Sequence, residues 1–400
     1  MKTGDHPGAG RHGIDLVEIA RIRRLLDETP RADLLRIFSE RELDDAAKGP
    51  EPARLAARFA AKEACLKLFP RETALGELEA GDFEIVSDCY GAPGVRCTPR
   101  AADVLARHWL ADISLSLSHD GSHATAVAVA VPRQIAAPPA GKFIYHCLPI
   151  RRGVVMSNLK RAFGAALDEQ QRVTLAQAFY GHLLQSGAEF ARNLIPWSRR
   201  PIVRVENIEA ALDAYHLGRG LLIASGHFGN WEVALPAAME DFPQWRGRFH
   251  ILRRPLPRWL DGLVTRHMRK SSLGVIPKRG SLQVILDRLA ARDAVVFIMD
   301  QHAGARDGVL VDFFGSPAWT FRSLALIALR TRAPVVPAAL WRAPDGSHVL
   351  RFEPALPIVE SDDAAEAIAA NTRLYNAALE RIIMRHPEQW FWVHRRWKNR

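Results

Sequence analysis

The chain is short of cysteine, with four in 400 residues, at Cys65, Cys89, Cys97 and Cys147. These show neither paired metal spacing nor the framework of a small disulfide-stapled domain, so a reducing compartment is the simpler inference. Also missing is any uncharged apolar run near the roughly 18 to 20 residues that a membrane-crossing helix needs. Membrane contact is therefore expected to be peripheral. No apolar stretch ahead of a cleavage site opens the chain, which argues against a secretory signal. Zinc-finger spacing and RNA-binding aromatic signatures are absent, and with them the case for a nucleic-acid partner. P-loop and zinc-protease motifs are absent too, and there is no internal repeat.

What is present suits a soluble globular protein of two or three domains: 48% hydrophobic and 24% charged residues over 400 positions. The charge is uneven. Residues 1–135 hold 18 Lys and Arg against 21 Asp and Glu, and the remainder holds 36 against 23. A basic second part suits an anionic partner: an acidic protein, a phosphorylated lipid or an anionic membrane surface. The expected placement is cytoplasmic, peripheral on the inner face of the cell membrane.

Two domains are expected. Val131–Gly141 is Ala/Pro-rich, follows neither hydrophobic period and coincides with the charge shift; it reads as a linker. The resulting boundaries are 1–132, a linker at 133–145, and 146–400. In the first domain Ile14–Ile19, Phe83–Ser87, Ile113–Ser118 and Thr125–Val131 read as strands and Ala53–Leu68 as a helix, a small α+β unit. In the second, strand-like runs (Leu221–Ser225, Val295–Asp300, Val335–Leu340, Val349–Phe352) alternate with helical ones (Leu282–Ala291, Ser323–Arg332, Ala364–Arg385). That alternation predicts a layered α/β domain.

Helix 53–68 carries an anomaly. Leu55, Phe59 and Leu66 form an apolar stripe with Glu63 on the same face. A dry, unpaired carboxylate there costs several kcal/mol, on the order of the penalty for a buried charge. Either Lys67 pairs with it one turn along, or it joins Asp15 in a metal site, since Mg²⁺ takes one or two carboxylates and completes its shell with water and phosphate oxygens.

The ordered motifs Gly13–Ile19, Phe38–Leu43, Arg58–Lys67, Gly91–Pro93 and Ser116–His119 resemble holo-acyl-carrier-protein synthase, a 4'-phosphopantetheinyl transferase, over residues 12–131. The resemblance implies transfer of phosphopantetheine from coenzyme A to a serine of acyl carrier protein. It places Mg²⁺ on Asp15 and Glu63, Lys67 on the phosphates, and coenzyme A against Arg58, Lys62 and His119. One departure stands out: Phe69-Pro70-Arg71-Glu72-Thr73 replaces the Gly-Thr-Gly-like loop that follows the helix in that family.

In the second domain a buried strand, Leu221–Ala224, is broken by Gly226 just before His227. The segment Phe228–Leu235 can begin a helix, so His227 is expected on a strand-to-helix turn, with Glu232 one turn later reaching back to it. A carboxylate that fixes the imidazole tautomer makes a general base able to deprotonate a hydroxyl; the plainer alternative is a surface His–Glu pair. His227-x4-Glu232, Arg254-Pro255, Met299-Asp300-Gln301, Phe313-Phe314-Gly315, Ala333–Pro337 and Pro387–Trp397 are similar to the lipid A biosynthesis acyltransferases across 147–400. The resemblance implies that His227 activates a lipid or glycolipid hydroxyl, which attacks an acyl thioester on acyl carrier protein. Glu232 orients His227, Asp300 lies beside the site, and Arg254 binds a phosphate or steadies the oxyanion. The family's N-terminal membrane helix is replaced by the first domain and linker. The Trp/Arg cluster at the C-terminal end is either an interfacial anchor or core packing.

Two further signals are set aside. Gly8–Gly13 matches G-x-G-x-x-G but precedes the first strand instead of following one. His119, Asp120 and His123 lack a further metal ligand. The leading expectation is a bifunctional enzyme built around one acyl carrier protein. The runner-up keeps the acyltransferase and makes the first domain a degenerate carrier-docking module; a membrane-surface scaffold without activity ranks behind both.

Overall fold

The computed structural model describes residues 11–88, 90–148, 150–193, 201–242, 245–253, 271–278 and 280–398, with single positions at 262, 265 and 268. It divides into two compact units, Met1–Gln134 and Ile135–Arg400.

The first unit is α+β. Strand His12–Glu18 pairs antiparallel with His123–Pro132, which pairs antiparallel with Leu110–His119. Helix Glu51–Leu66 packs across this sheet. The contact is close because both surfaces are small: Ala56, Ala60, Ala61 and Ala64 on the helix meet Ala124, Ala126, Ala128 and Ala130 on the strand, all buried. The strand alanines recur every second residue, the period that puts side chains on one face. Phe83–Ser87 and Pro93–Cys97 form a separate hairpin. The helix Arg71–Gly76 follows the altered Phe69–Thr73 stretch, and Phe69 itself is buried against Phe83.

The second unit is α/β. Its seven-stranded sheet runs in the order Val203–Glu206, His348–Phe352, Val335–Arg342, Leu221–Ser225, Ala294–Ile298, Phe249–Arg253, Gly274–Pro277. The pairs are parallel apart from Val335–Arg342 with His348–Phe352. Leu221–Ala224 and Ala294–Phe297 are buried at every position, the signature of central parallel strands covered on both faces. Helix Ala364–Arg385 starts where Asp363 accepts a hydrogen bond from the Ala365 amide at 2.8 Å, an N-cap that satisfies a first-turn donor.

The expected linker at 133–145 is coil only as far as Pro138. Pro139–Cys147 is a helix packed on the long helix Glu169–Asn193. Gly141 makes that packing possible, since a Cβ there would sit 2.0 Å from the Gln177 carbonyl oxygen. Proline at the helix start and glycine at the contact are the residues that had suggested a linker; here they are helix-initiating and close-packing residues.

Candidate active sites

In the second unit the site lies at the C-terminal ends of the two central strands, where open α/β sheets place ligands. Strand Leu221–Ser225 ends at Ser225, and helix Trp231–Asp241 begins six residues later. His227 sits on the turn between them, 24% exposed. Its Nδ1 lies 2.8 Å from Asp300 Oδ1, and its backbone N–H donates to Asp300 Oδ2 at 2.6 Å. The Trp390 indole also donates to Oδ2, at 2.9 Å. Gly226 is required here, because a Cβ at that position would come 2.9 Å from Asp300 Oδ2.

Asp300, not Glu232, holds the imidazole. This corrects the expected His227–Glu232 pairing. Glu232 is in the first turn of the following helix and faces the same cavity, close enough for its charge to reach the ring. The partner on Nδ1 comes from the neighbouring strand, 73 positions along the chain. The electrostatics follow the geometry. Burial pulls His227 down, but Asp300, by charge and hydrogen bond, and then Glu232 raise it above the ordinary imidazole value. Burial pushes Asp300 up, yet the imidazole charge and three hydrogen bonds hold it well below the usual carboxylate range. Glu232 is raised by its burial, against the pull of His227 and Arg253.

With Nδ1 committed to Asp300, Nε2 is left to face a cavity of about 510 Å³. Phe179, Leu183, Phe190, Leu252, Ile298 and Phe391 give it apolar walls. Gln301 Nε2 stands 3.3 Å from His227 Nε2. The arrangement is a base at the rim of a greasy pocket, suited to a hydroxyl and an acyl chain. Arg254 lies outside the described residues.

In the first unit Glu63, on the helix, is within reach of the charges of Asp15, on the strand, and of Lys67, which pairs with Asp15. The Lys67 ammonium is 2.7 Å from Asp15 Oδ1 and 2.9 Å from the Ile14 carbonyl oxygen. Lys67 thus contacts Asp15 directly instead of closing the simple Glu63–Lys67 turn. Partial burial, then the Asp15 charge, raises Glu63, against Lys67 and Arg21. Arg58 is partly buried, and its Nε has no hydrogen-bond partner among the described residues. His119 ends its strand exposed.

Lys62 does not join them. Expected to touch coenzyme A, it is 1% exposed, with its ammonium 2.9 Å from Glu42 Oε2 and 2.6 Å from the Phe83 carbonyl oxygen. Glu42 also accepts the Ser39 and Ile85 amides, at 2.7 and 2.8 Å. The Lys62–Glu42 pair is an internal strut, its charges satisfied by each other and by backbone, as buried ions must be.

The family model for bacterial lipid A biosynthesis acyltransferase matches residues 125–399, more than half of the chain. The chain belongs to the lipid A biosynthesis acyltransferase family. Its first part, residues 11–128, matches the 4'-phosphopantetheinyl transferase superfamily. The holo-[acyl-carrier-protein] synthase of Geotalea daltonii is 40% identical over 119 residues, covering 29% of this chain and 94% of that protein. The lipid A biosynthesis lauroyltransferase of Escherichia coli K12 is 27% identical over 274 residues, covering 65% of this chain and 83% of that protein. A solved holo-[acyl-carrier-protein] synthase of Helicobacter pylori in complex with coenzyme A is 30% identical, covering 30% of this chain and 98% of that one, with a TM-score of 0.26. One chain therefore joins a phosphopantetheinyl-transferase domain to a lipid A acyltransferase domain, and both families are transferases.

In this acyltransferase the heart of the C-terminal Trp/Arg cluster is core, while Arg395 is exposed and Trp397 half-buried. Trp390, Trp392 and Arg396 are at most 1% exposed, which excludes them as an interfacial anchor. Trp390 bridges to Phe228, and the Phe391 and Gly229 amides bond to the His227 and Gln389 carbonyls. The tail thus clamps the His227 turn while Trp390 fixes Asp300. No spacing rule in the sequence points to that; the run of aromatics around Trp390 was the available signal. Among the described residues, no helix is long and apolar enough to cross a membrane.

Proposed function

We propose that the second unit transfers an acyl chain from an acyl-carrier-protein thioester to a hydroxyl of a lipid or glycolipid. The observation that carries this is the His227–Asp300 contact, which leaves Nε2 facing the apolar cavity. Asp300 keeps the proton on Nδ1. Nε2 takes the proton of the acceptor hydroxyl as its oxygen bonds to the thioester carbonyl carbon. The tetrahedral intermediate collapses, the carbon–sulfur bond breaks, and the imidazolium returns the proton to the departing thiolate. Asp300 stabilises the imidazolium throughout. Arg254, by its place in the family pattern, is assigned to a phosphate or the oxyanion.

The first unit, in the same proposal, moves 4'-phosphopantetheine from coenzyme A to a serine of acyl carrier protein. Asp15 and Glu63 fit Mg²⁺: they are two oxygen donors near enough that one raises the other's pKa. The serine oxygen would bond to the phosphorus that carries pantetheine as the bridging P–O bond of coenzyme A breaks and adenosine 3',5'-bisphosphate leaves; the ion, when bound, would neutralise the charge that develops on those phosphate oxygens. Lys67 steadies the carboxylate pair and the incoming phosphates, while Arg58 and His119 contact coenzyme A. The carrier protein is then common to both units. The excess of positive charge after residue 135 favours an acidic carrier and an anionic membrane surface on the cytoplasmic side.

The test is a mass measurement on the full chain. Apo acyl carrier protein with coenzyme A and Mg²⁺ should gain a phosphopantetheine arm. Acyl carrier protein loaded with a fatty acid, given a lipid extract, should yield an acylated lipid. His227→Ala should abolish only the second. Loss of both activities, or of neither, overturns the proposal of two independent sites.

A further inference from the structure

A second cavity, of about 630 Å³, shares a wall with the His227 pocket: Leu252, Lys278 and Ile298 line both. Its volume falls in the range of ligand sites. The Lys278 ammonium stands 4.0 Å from the centre of the Phe321 ring, and its charge reaches His227. Beyond it the second cavity turns cationic, with Arg306 and Arg322 joining Lys278 against Asp307, the single carboxylate among the described lining residues. The remaining described wall is mostly apolar, with Ser281 and Ser323 its polar exceptions, and Leu282 and Leu326 are 52% and 44% exposed. Helices Leu282–Ala290 and Ser323–Thr331 begin at this cavity, adding the partial positive charge of their first amides.

We infer that this cavity is a phosphate subsite for a substrate of the His227 reaction. Resting on the acyl-transfer reading above, it takes a phosphate of an amphiphilic ligand whose reacting group lies beside His227. A lone surface arginine makes no such site. Three cations around an open cavity, one of them in the wall shared with the catalytic pocket, fit a molecule that is anionic at one end and reactive at the other. Two sources carry that chemistry: the phosphate of the donor's pantetheine arm, and a phosphate on the acceptor's sugar headgroup.

Equilibrium binding to the full chain, in detergent and without turnover, tests the inference and separates the sources. One probe pair is S-dodecanoyl-4'-phosphopantetheine and S-dodecanoylpantetheine. The other is an acylated glucosamine 1-phosphate and its phosphate-free counterpart. In one pair or the other the phosphate should tighten binding about tenfold or more, as expected for hydrogen bonds between charged groups. The variant Arg306→Gln/Arg322→Gln should close that gap while leaving the phosphate-free member unchanged. The pair that shows the gap names the source. Phosphate at the first unit affects wild type and variant alike and cancels in the comparison. A wild type indifferent to phosphate in both pairs overturns the subsite, as does a gap that the double substitution leaves undiminished. Failure of acyl transfer in wild type counts against the transfer reading alone, because binding is read without it.

Discussion

His227 and Asp300 stand at equivalent places on neighbouring strands. Ser225 and Ile298 are register partners in parallel pairing, and each functional side chain comes two residues after its partner. Parallel strands send their C-terminal loops to the same edge of the sheet, so equal offsets bring the two side chains together. The hydrogen bond of 2.8 Å is the result. Asp300→Asn keeps the shape and removes the charge, and an amide that donates to Nδ1 favours the wrong tautomer. Acyl transfer should fall about 100- to 10,000-fold, the usual range for losing general-base function. Phosphopantetheine transfer, measured on the same preparation, should be unchanged.

The pH profile follows from the shift of His227. The working base is the neutral ring, so activity is lost as pH falls through its pKa and gained as pH rises. That pKa lies above the ordinary imidazole value because Asp300 outweighs burial. The acid limb of kcat/KM for acyl transfer should therefore lie above about 6.5, the unperturbed value. Glu232→Gln should move the limb to lower pH, and Asp300→Asn should move it further, since Asp300 is the larger of the two influences. A limb that ignores both changes would mean that another group titrates.

Why one partner of His227 was legible and the other was not is a matter of range. Glu232 is visible as a carboxylate one helical turn along, and a short window suggests it. Asp300 depends on which strands are neighbours and in what register, which a window cannot supply. The same division holds elsewhere. Helix Ala364–Arg385 and strand Phe83–Ser87 are local patterns, and the structure has both with the expected bounds. Helix Pro139–Cys147 was hidden because proline and glycine serve chain breaks and close packing alike. The burial of Trp390 and Arg396 was hidden because the same residues serve a membrane interface and a core.

Lys62 offers a test of the other reassignment. Lys62→Met removes one member of a fully buried pair and leaves the Glu42 carboxylate uncompensated. Such losses cost about 3–5 kcal/mol. Hydrogen exchange in strand Phe83–Ser87 and helix Glu51–Leu66 should accelerate sharply in this variant. The KM for coenzyme A of the protein that remains folded should stay near wild type. A raised KM with unchanged exchange would return Lys62 to the cofactor.

Glu63→Gln isolates the first chemistry. The change keeps the side chain's size and a carbonyl oxygen but drops the charge that, with Asp15, is proposed to hold Mg²⁺. Modification of apo carrier protein should fall by two orders of magnitude or more, on the order of a lost charged catalytic group, with the Mg²⁺ requirement weakened. Acyl transfer from a carrier loaded beforehand should not change. If both fall together, the two sites are not independent.

Gly226→Ala asks how tightly the His227–Asp300 contact is built. The added Cβ would lie 2.9 Å from Asp300 Oδ2 and 3.2 Å from Leu379 Cδ1. The oxygen cannot swing freely, because the His227 amide and the Trp390 indole hold it at 2.6 and 2.9 Å. The turn or the carboxylate must therefore yield, and either movement loosens the bond to Nδ1. Transfer should drop while the far sheet edge at Val203–Glu206 keeps its exchange protection. The imidazole pKa, read by NMR, should fall toward its ordinary value as Asp300 moves away. A variant that keeps both the raised pKa and full activity would show that the carboxylate has more room than a 2.9 Å approach allows.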